Sequence, residues 1–224
     1  DAELAQGQSR GWMHGMPQAI KDTGAAIGFP TSLGCTLLKN NVAKTDHTMV
    51  ARMKAAGCIV VGKTNMPEFG LGSHTFNDLF GPTLNAWDTS VSAGGSSGGA
   101  CAALAQRLLP VADGSDFMGS LRNPAAWNHV FGMRPSQGRV PSGPSPDVWI
   151  DQLGTPGPMA RTVTDLAKLL EVQSGYDPRA PLSLSSAFTA SSAQAHAEQL
   201  QGLRIGWLGN LNGYLAVEPG ILEV

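Results

Sequence analysis

Residues 93–124, AGGSSGGACAALAQRLLPVADGSDFMGSLRNP, decide the fold: two serine-bearing turns joined by one helix and one strand. Taken alone, GGSSGG (94–99) has the composition of a flexible linker. It runs, however, straight into ACAALAQRLL, so the spacing predicts a helix over 96–109 entered through glycines. PVADGSD then reads as a short strand that ends in a second turn, 114–124, with Ser120 inside it. Glycines at a helix entry let the backbone come close to another segment or to a ligand. Two small hydroxyl-bearing turns at the ends of one helix read as a site rather than a tether.

Working outward, DHTMVARMKAAG (46–57) offers Asp46 as a capping residue, apolar Met49, Val50 and Met53, and a terminal glycine, which predicts a short helix. CIVVG (58–62) follows as a buried strand on its β-branched run. Thr162 and Asp165 form a variant capping box before LAKLLEVQSG, a third helix; residues 194–201 read as a fourth, followed by a strand in LRIGWLG (203–209). The Ser/Ala-rich stretch 179–193 reads as a surface connection. Helices alternating with strands imply an α/β protein whose sheet is at least partly parallel.

Composition narrows the function classes. Fifteen basic against 17 acidic side chains, net −2, do not suit a polycationic nucleic-acid binder, so no nucleic-acid partner is expected. With 42% apolar and 14% charged residues the chain is neither a solvated disordered chain nor a coiled coil, and no apolar run reaches the roughly 18 residues of a membrane span. Glycine (28) and proline (15) indicate many turns. Cys35, Cys58 and Cys101 make no CxxC pair; no metal or cofactor is expected, Cys58 reads as a small buried hydrophobe, and an odd cysteine count fits a cytoplasmic setting.

GCIVVGKT (57–64) satisfies the GxxxxGK[ST] pattern of a phosphate-binding loop. That loop needs a strand before it and a helix after the Lys-Thr, whereas here the variable positions are the strand and Pro67 follows closely. GMPQAIKD (15–22) is a proline turn with Lys21 at the end of an apolar run, which by itself is an ordinary lysine.

Together these segments resemble the amidase signature family. The resemblance rests on GKTNMPEFGLG (62–72), FGPTLNAWDTSVSAGGSSGG (80–99), the serine turn 114–124, FGMRPSQGRVP (131–141) and GPMARTVTDLAKLL (157–170), matched in order and spacing along nearly the whole chain. It implies an α/β amidase-signature fold, a mixed twisted sheet covered by helices on both faces. It also implies a lysine, Lys21, a serine after a cis peptide bond, Ser96, and a nucleophile, Ser120, 24 positions further on. The expected oxyanion hole is the backbone N–H set of Phe117, Met118, Gly119 and Ser120. Met118 departs from the family's pattern, which has a smaller residue there, and is expected to reshape the acyl pocket. Asp116 and Arg122 are expected to support the turn by pairing with each other or capping backbone groups.

The chemistry is coherent on its own terms. A serine hydroxyl needs a neighbouring base to become a nucleophile. A lysine serves as that base only as the neutral amine, which burial favours. Ser96 would relay the proton between Ser120 and Lys21. Competing readings are a Ser-His-Asp hydrolase of Ser120, His129 and Asp116, although the G-x-S-x-G elbow is absent, and a non-enzymatic binding module. Lys39 and Lys63 are expected to be ordinary lysines.

DFMGSLRNPAAWNHVFGMRPSQGRVP (116–141) resembles amidase-signature hydrolases that open cyclic amides of 6-aminohexanoate. Linear or aryl amides rank next, and the glutamine-hydrolysing component of transamidosomes behind them. A small-molecule amide is the expected partner and a homodimer the expected assembly. Residues 1–224 are expected to be one catalytic domain that lacks N-terminal helices and a C-terminal part, belonging to a larger polypeptide or needing a second chain.

Overall fold

The computed structural model describes residues 2–145, 147–149, 152–186, 188–190 and 200–223. The chain divides into two compact units, Asp1–Ser191 and Ser192–Val224. The first carries α1 (Ala2–Ala5), β1 (Pro17–Lys21), α2 (Thr48–Ala55), β2 (Ile59–Thr64), α3 (Gly98–Ala105), β3 (Val111–Asp116), α4 (Arg122–Trp127), β4 (Phe131–Gly132), β5 (Thr155–Ala160) and α5 (Val163–Gln173). The described residues of the second are exposed turns and a 3-10 turn at Ile221–Glu223.

Parallel and antiparallel pairing both occur. β1 and β2 run parallel, whereas β3, β5 and β4 form an antiparallel sheet in that order. The expected mixed sheet is thus two ladders, and between β1 and β3 the Asp113 side chain stands in for backbone pairing. Its carboxylate accepts the Lys21 N–H at 3.1 Å and the Gln18 Nε2–H at 3.2 Å.

Side-chain alternation along the strands sorts the core onto two faces. Ile20, Val111 and Ala160 pack with Met49, Val50 and Met53 of α2 and Leu166, Leu169 and Leu170 of α5. Their neighbours Ala19, Ala112 and Met159 pack with Ala100, Cys101 and Leu104 of α3 and with Leu121 and Ala125. Helices therefore cover both faces. Lys21 lies two residues from Ala19, so its side chain projects to the α3 side, where the serine turn that opens α3 lies.

Several sequence expectations need correction. His47, not Asp46, caps α2, its ring accepting the Met49 N–H; the Asp46 carboxylate accepts instead from Ile27 N–H and Lys54 Nζ, both at 2.7 Å. α3 covers Gly98–Ala105 rather than 96–109, because Ser96 and Ser97 turn inward to Lys21 and Arg107 adopts a positive φ of 61°. β2 is not a buried strand: Ile59 and Val61, two residues apart and so on the same face, are each 57% exposed. LRIGWLG forms no strand: the described residues of its own unit offer no second strand to pair with it. The predicted helix over 194–201 falls largely outside the described residues. Thr162 caps α5 as expected, its hydroxyl accepting the Asp165 N–H at 3.1 Å.

Candidate active site

The site is built where the C-terminal end of β1, the turn before α3 and the C-terminal half of β3 converge. Glycine makes the convergence possible: a Cβ on Gly99 would come within 2.5 Å of the Asn65 backbone nitrogen, and one on Gly114 within 2.8 Å of Ser97 Oγ. The turn thereby sits tight against the segment after β2 and against β3.

Lys21 is 1% exposed. Its Nζ lies 2.7 Å from Ser96 Oγ, 2.8 Å from Ser97 Oγ, 3.0 Å from Ser115 Oγ and 3.4 Å from the Ser115 carbonyl oxygen. Among the described residues no carboxylate lies within ion-pair range of it. Burial pulls the amine down to about 7, against the opposing fields of Asp113, Cys101 and Asp116. The Gly95–Ser96 peptide bond is cis. Ser97 and Ser115, which sequence reasoning did not single out, thus join Ser96 in a ring of hydroxyls around the amine.

Ser120 is half-buried, and its carbonyl oxygen accepts the Ser97 N–H at 3.2 Å, which ties the two serine turns together. Among the described residues no hydrogen bond joins Ser120 Oγ to Ser96 Oγ. Such contacts commonly tighten only when substrate is bound.

Asp116 organises the turn that carries Ser120. Its buried carboxylate accepts from Gly119 N–H at 2.8 Å and Leu121 N–H at 3.1 Å, and receives both arms of Arg122, Nε at 3.0 Å and Nη2 at 3.1 Å. Burial opposes its ionisation, but the Arg122 hydrogen bond, the two N–H groups and the guanidinium charge outweigh that and hold the carboxyl at about 2. Asp116 therefore pairs with Arg122 and caps two backbone N–H groups of its own turn. Arg134, which sequence reasoning overlooked, adds a contact to Asp116 at 3.4 Å and donates to the Phe117 carbonyl oxygen at 2.9 Å.

The expected oxyanion donors need one correction. The Gly119 N–H is taken by Asp116, because the acidic residue folds back over its own turn. The N–H groups of Phe117, Met118 and Ser120 have no hydrogen-bond partner among the described residues. Met118 is 80% exposed.

The competing readings lose their geometry. Among the described residues every hydrogen-bond donor to Asp116 is an arginine or a backbone N–H, and His129 instead makes a T-shaped contact with Trp87, ring centroids 6.4 Å apart. In the phosphate-loop pattern, Lys63 is folded inward, donating to the Gly24 carbonyl oxygen at 2.7 Å and pairing with Asp22 at 3.3 Å. Lys63 is therefore not the ordinary lysine expected; Lys39 is exposed. All three cysteines are buried and free. Among the described residues no cluster suits a metal ion and no helix is long and apolar enough to cross a membrane.

The α/β scaffold thus buries one lysine among hydroxyls of the turn before α3 and of β3, and residues 1–223 match the family described as Amidase. The chain belongs to the amidase signature family. It is 41% identical over 221 residues to the glutamyl-tRNA(Gln) amidotransferase A-subunit of Acidothermus cellulolyticus, covering 99% of this chain and 43% of that protein. A bacterial aryl acylamidase superposes with a TM-score of 0.80 at 37% identity, over 83% of this chain and 39% of that one. A 6-aminohexanoate cyclic dimer hydrolase complexed with substrate superposes with a TM-score of 0.74 at 36% identity, over 81% and 39%. The chain thus spans less than half the length of these relatives. Their names do not follow the substrate ranking drawn from the sequence, since the amidotransferase component, placed last there, stands at 41%.

Proposed function

We propose that these residues form the catalytic core of an amide hydrolase in which Ser120 is the nucleophile, Ser96 the proton relay and Lys21 the terminal base. The observation that carries this is the Lys21 amine, buried with no carboxylate partner among the described residues and held at 2.7 Å from Ser96 Oγ. As a neutral amine it has a lone pair for the Ser96 proton and two N–H groups for Ser97 and Ser115. Ser120 Oγ then attacks the amide carbonyl as its proton passes through Ser96 to Lys21. The tetrahedral oxyanion is met by the N–H groups of Phe117, Met118 and Ser120. The proton returns by the same route to the leaving amine as the C–N bond breaks, giving an acyl-enzyme that water cleaves.

The finer substrate reading is a cyclic amide of the 6-aminohexanoate type. It is supported by the wording of residues 116–141 and by the 36% identity to the cyclic dimer hydrolase. A second reading, release of ammonia from glutamine for transfer within a multi-component complex, is favoured by the 41% identity to an amidotransferase component. Homodimeric assembly and a cytoplasmic setting complete the proposal; sedimentation velocity and cell fractionation test them. Turnover of cyclic, linear and aryl amides and of glutamine, by the wild-type protein and by Ser120→Ala, tests the function. Hydrolysis of at least one amide, lost in the variant, is expected; undiminished hydrolysis by Ser120→Ala would overturn it.

A further inference from the structure

The turn that carries Ser120 has its peptide groups pinned one at a time. The Gly119 N–H donates to Asp116 at 2.8 Å, which fixes the peptide between Met118 and Gly119. The Gly119 carbonyl oxygen accepts the Asn123 N–H at 2.7 Å, and the Ser120 carbonyl oxygen accepts the Ser97 N–H at 3.2 Å. The peptide between Phe117 and Met118 is anchored from outside the turn. Among the described residues its carbonyl oxygen accepts only from the Arg134 guanidinium, Nη1 at 2.9 Å, and its N–H, that of Met118, has no partner. This peptide is trans, so its C=O and N–H lie in one plane and point in opposite directions. Whatever holds the Phe117 carbonyl therefore aims the Met118 N–H.

Arg134 is itself held in place. It follows β4, where the Met133 N–H donates to the Pro158 carbonyl oxygen of β5 at 3.2 Å, and its Nη2 reaches the Leu153 carbonyl oxygen at 3.4 Å. The guanidinium thus spans from the antiparallel sheet to the serine turn, and its planar fork offers donors in a fixed geometry. Its contact with Asp116 is the weaker one, at 3.4 Å, and Arg122 already meets that carboxylate with two arms at 3.0 and 3.1 Å. Resting on the reading of Ser120 as the nucleophile, we propose that Arg134 is a positioning residue: it aims the Met118 N–H at the oxyanion by holding the Phe117 carbonyl. The oxyanion exists only as the tetrahedral species forms, so this aim acts on kcat rather than on substrate binding.

The sequence allows a direct readout, because Phe-Met and Met-Gly each occur once, at 117–118 and 118–119. Protein carrying ¹³C-carbonyl phenylalanine and ¹⁵N-methionine gives one carbonyl-coupled amide signal, that of Met118. Labelling with ¹³C-carbonyl methionine and ¹⁵N-glycine gives that of Gly119 in the same way. In Arg134→Ala the Met118 amide is expected to lose order, read as a fall in its heteronuclear NOE, while the Gly119 amide, held by Asp116, keeps its own. Added guanidinium chloride, compared with sodium chloride at the same concentration, is expected to restore part of the Met118 signal. With 4-nitroacetanilide as the first amide probe, kcat is expected to fall by roughly tenfold with KM little changed, less than the roughly 100-fold cost of losing a whole oxyanion donor. An unmoved Met118 amide, or Met118 and Gly119 amides loosened together, overturns the proposal, as does a rise in KM with kcat unchanged. If Arg134→Ala does not fold, Arg134→Gln, whose shorter side chain has no fork, is read in its place. Absence of amide hydrolysis in the wild-type protein would sink the proposed function, and the NMR comparison would still decide what aims the Met118 N–H.

Discussion

Lys21 is the residue on which the proposed chemistry turns, and its burial makes two pH predictions. In the proposed mechanism the neutral amine is the active form, so kcat/KM is expected to rise with pH through about 7, the value to which burial lowers Lys21. The same shift acts on stability. Between about 7 and the ordinary 10.5 the unfolded chain holds a proton on this lysine that the folded chain lacks, so stability rises with pH across that window. Lys21→Met removes the cost of burying the amine. Denaturant titrations of this variant at pH 6 and pH 9 are expected to show a smaller difference than wild type, with hydrolysis abolished. Lys21→Arg is expected to be inactive as well, because a guanidinium supplies no neutral form near pH 7. Retention of near-normal kcat by Lys21→Arg would make Lys21 a structural charge. Lys39→Met is the neutral control, whereas Lys63→Met is expected to destabilise the fold by unpairing Asp22. In the sequence Lys21 was legible only through its family setting, since a lone lysine ending an apolar run looks ordinary. Asp113 carried a signal of its own, a charge inside VADGSD, because a charge in an apolar strand needs a reason.

At the scale of elements, the glycine-rich entry to α3 and the Asp116 turn after β3 hold the two serines. Gly99→Ala would drive a Cβ into the Asn65 backbone, so lowered stability together with loss of activity is expected, measured by melting and turnover on the same sample. Thr162→Ala, which removes the cap of α5 far from the serine turns in sequence, is expected to cost about 1 kcal/mol with unchanged kcat/KM per folded molecule. Removal of a cap and insertion of a Cβ thus separate helix stability from site geometry. The existence of α2, β2, α3, β3 and α5 was legible because capping signals, β-branched runs and glycine punctuation are local. Their ends were less so. Ser96 and Ser97 leave α3 because Lys21, 75 positions away from Ser96, binds them. His47 caps α2 because Asp46 is drawn to Ile27 and Lys54. Both outcomes depend on partners outside any local window.

Over the whole molecule, the strands separate two apolar clusters, one under α2 and α5 and the other under α3 and α4. Leu169→Ala and Leu104→Ala, one in each cluster, are each expected to cost about 2–5 kcal/mol. Because the sheet lies between them, their effects are expected to add to within about 0.5 kcal/mol in the double variant. Strong coupling in denaturant unfolding would mean a single shared core. The α/β class and the parallel component were legible from helix–strand alternation, but the antiparallel β3–β5–β4 order was not, because strand order depends on long-range pairing that periodicity does not encode. In the proposed chemistry Ser120 is the serine activated through Lys21. Peptide mapping by mass spectrometry after reaction with a sulfonyl fluoride tests it most directly. A single adduct on Ser120 is expected, forming faster as pH rises through about 7 and strongly suppressed in Lys21→Met; an adduct on Ser96, Ser97 or Ser115, or undiminished labelling of Ser120 in Lys21→Met, would overturn the assignment.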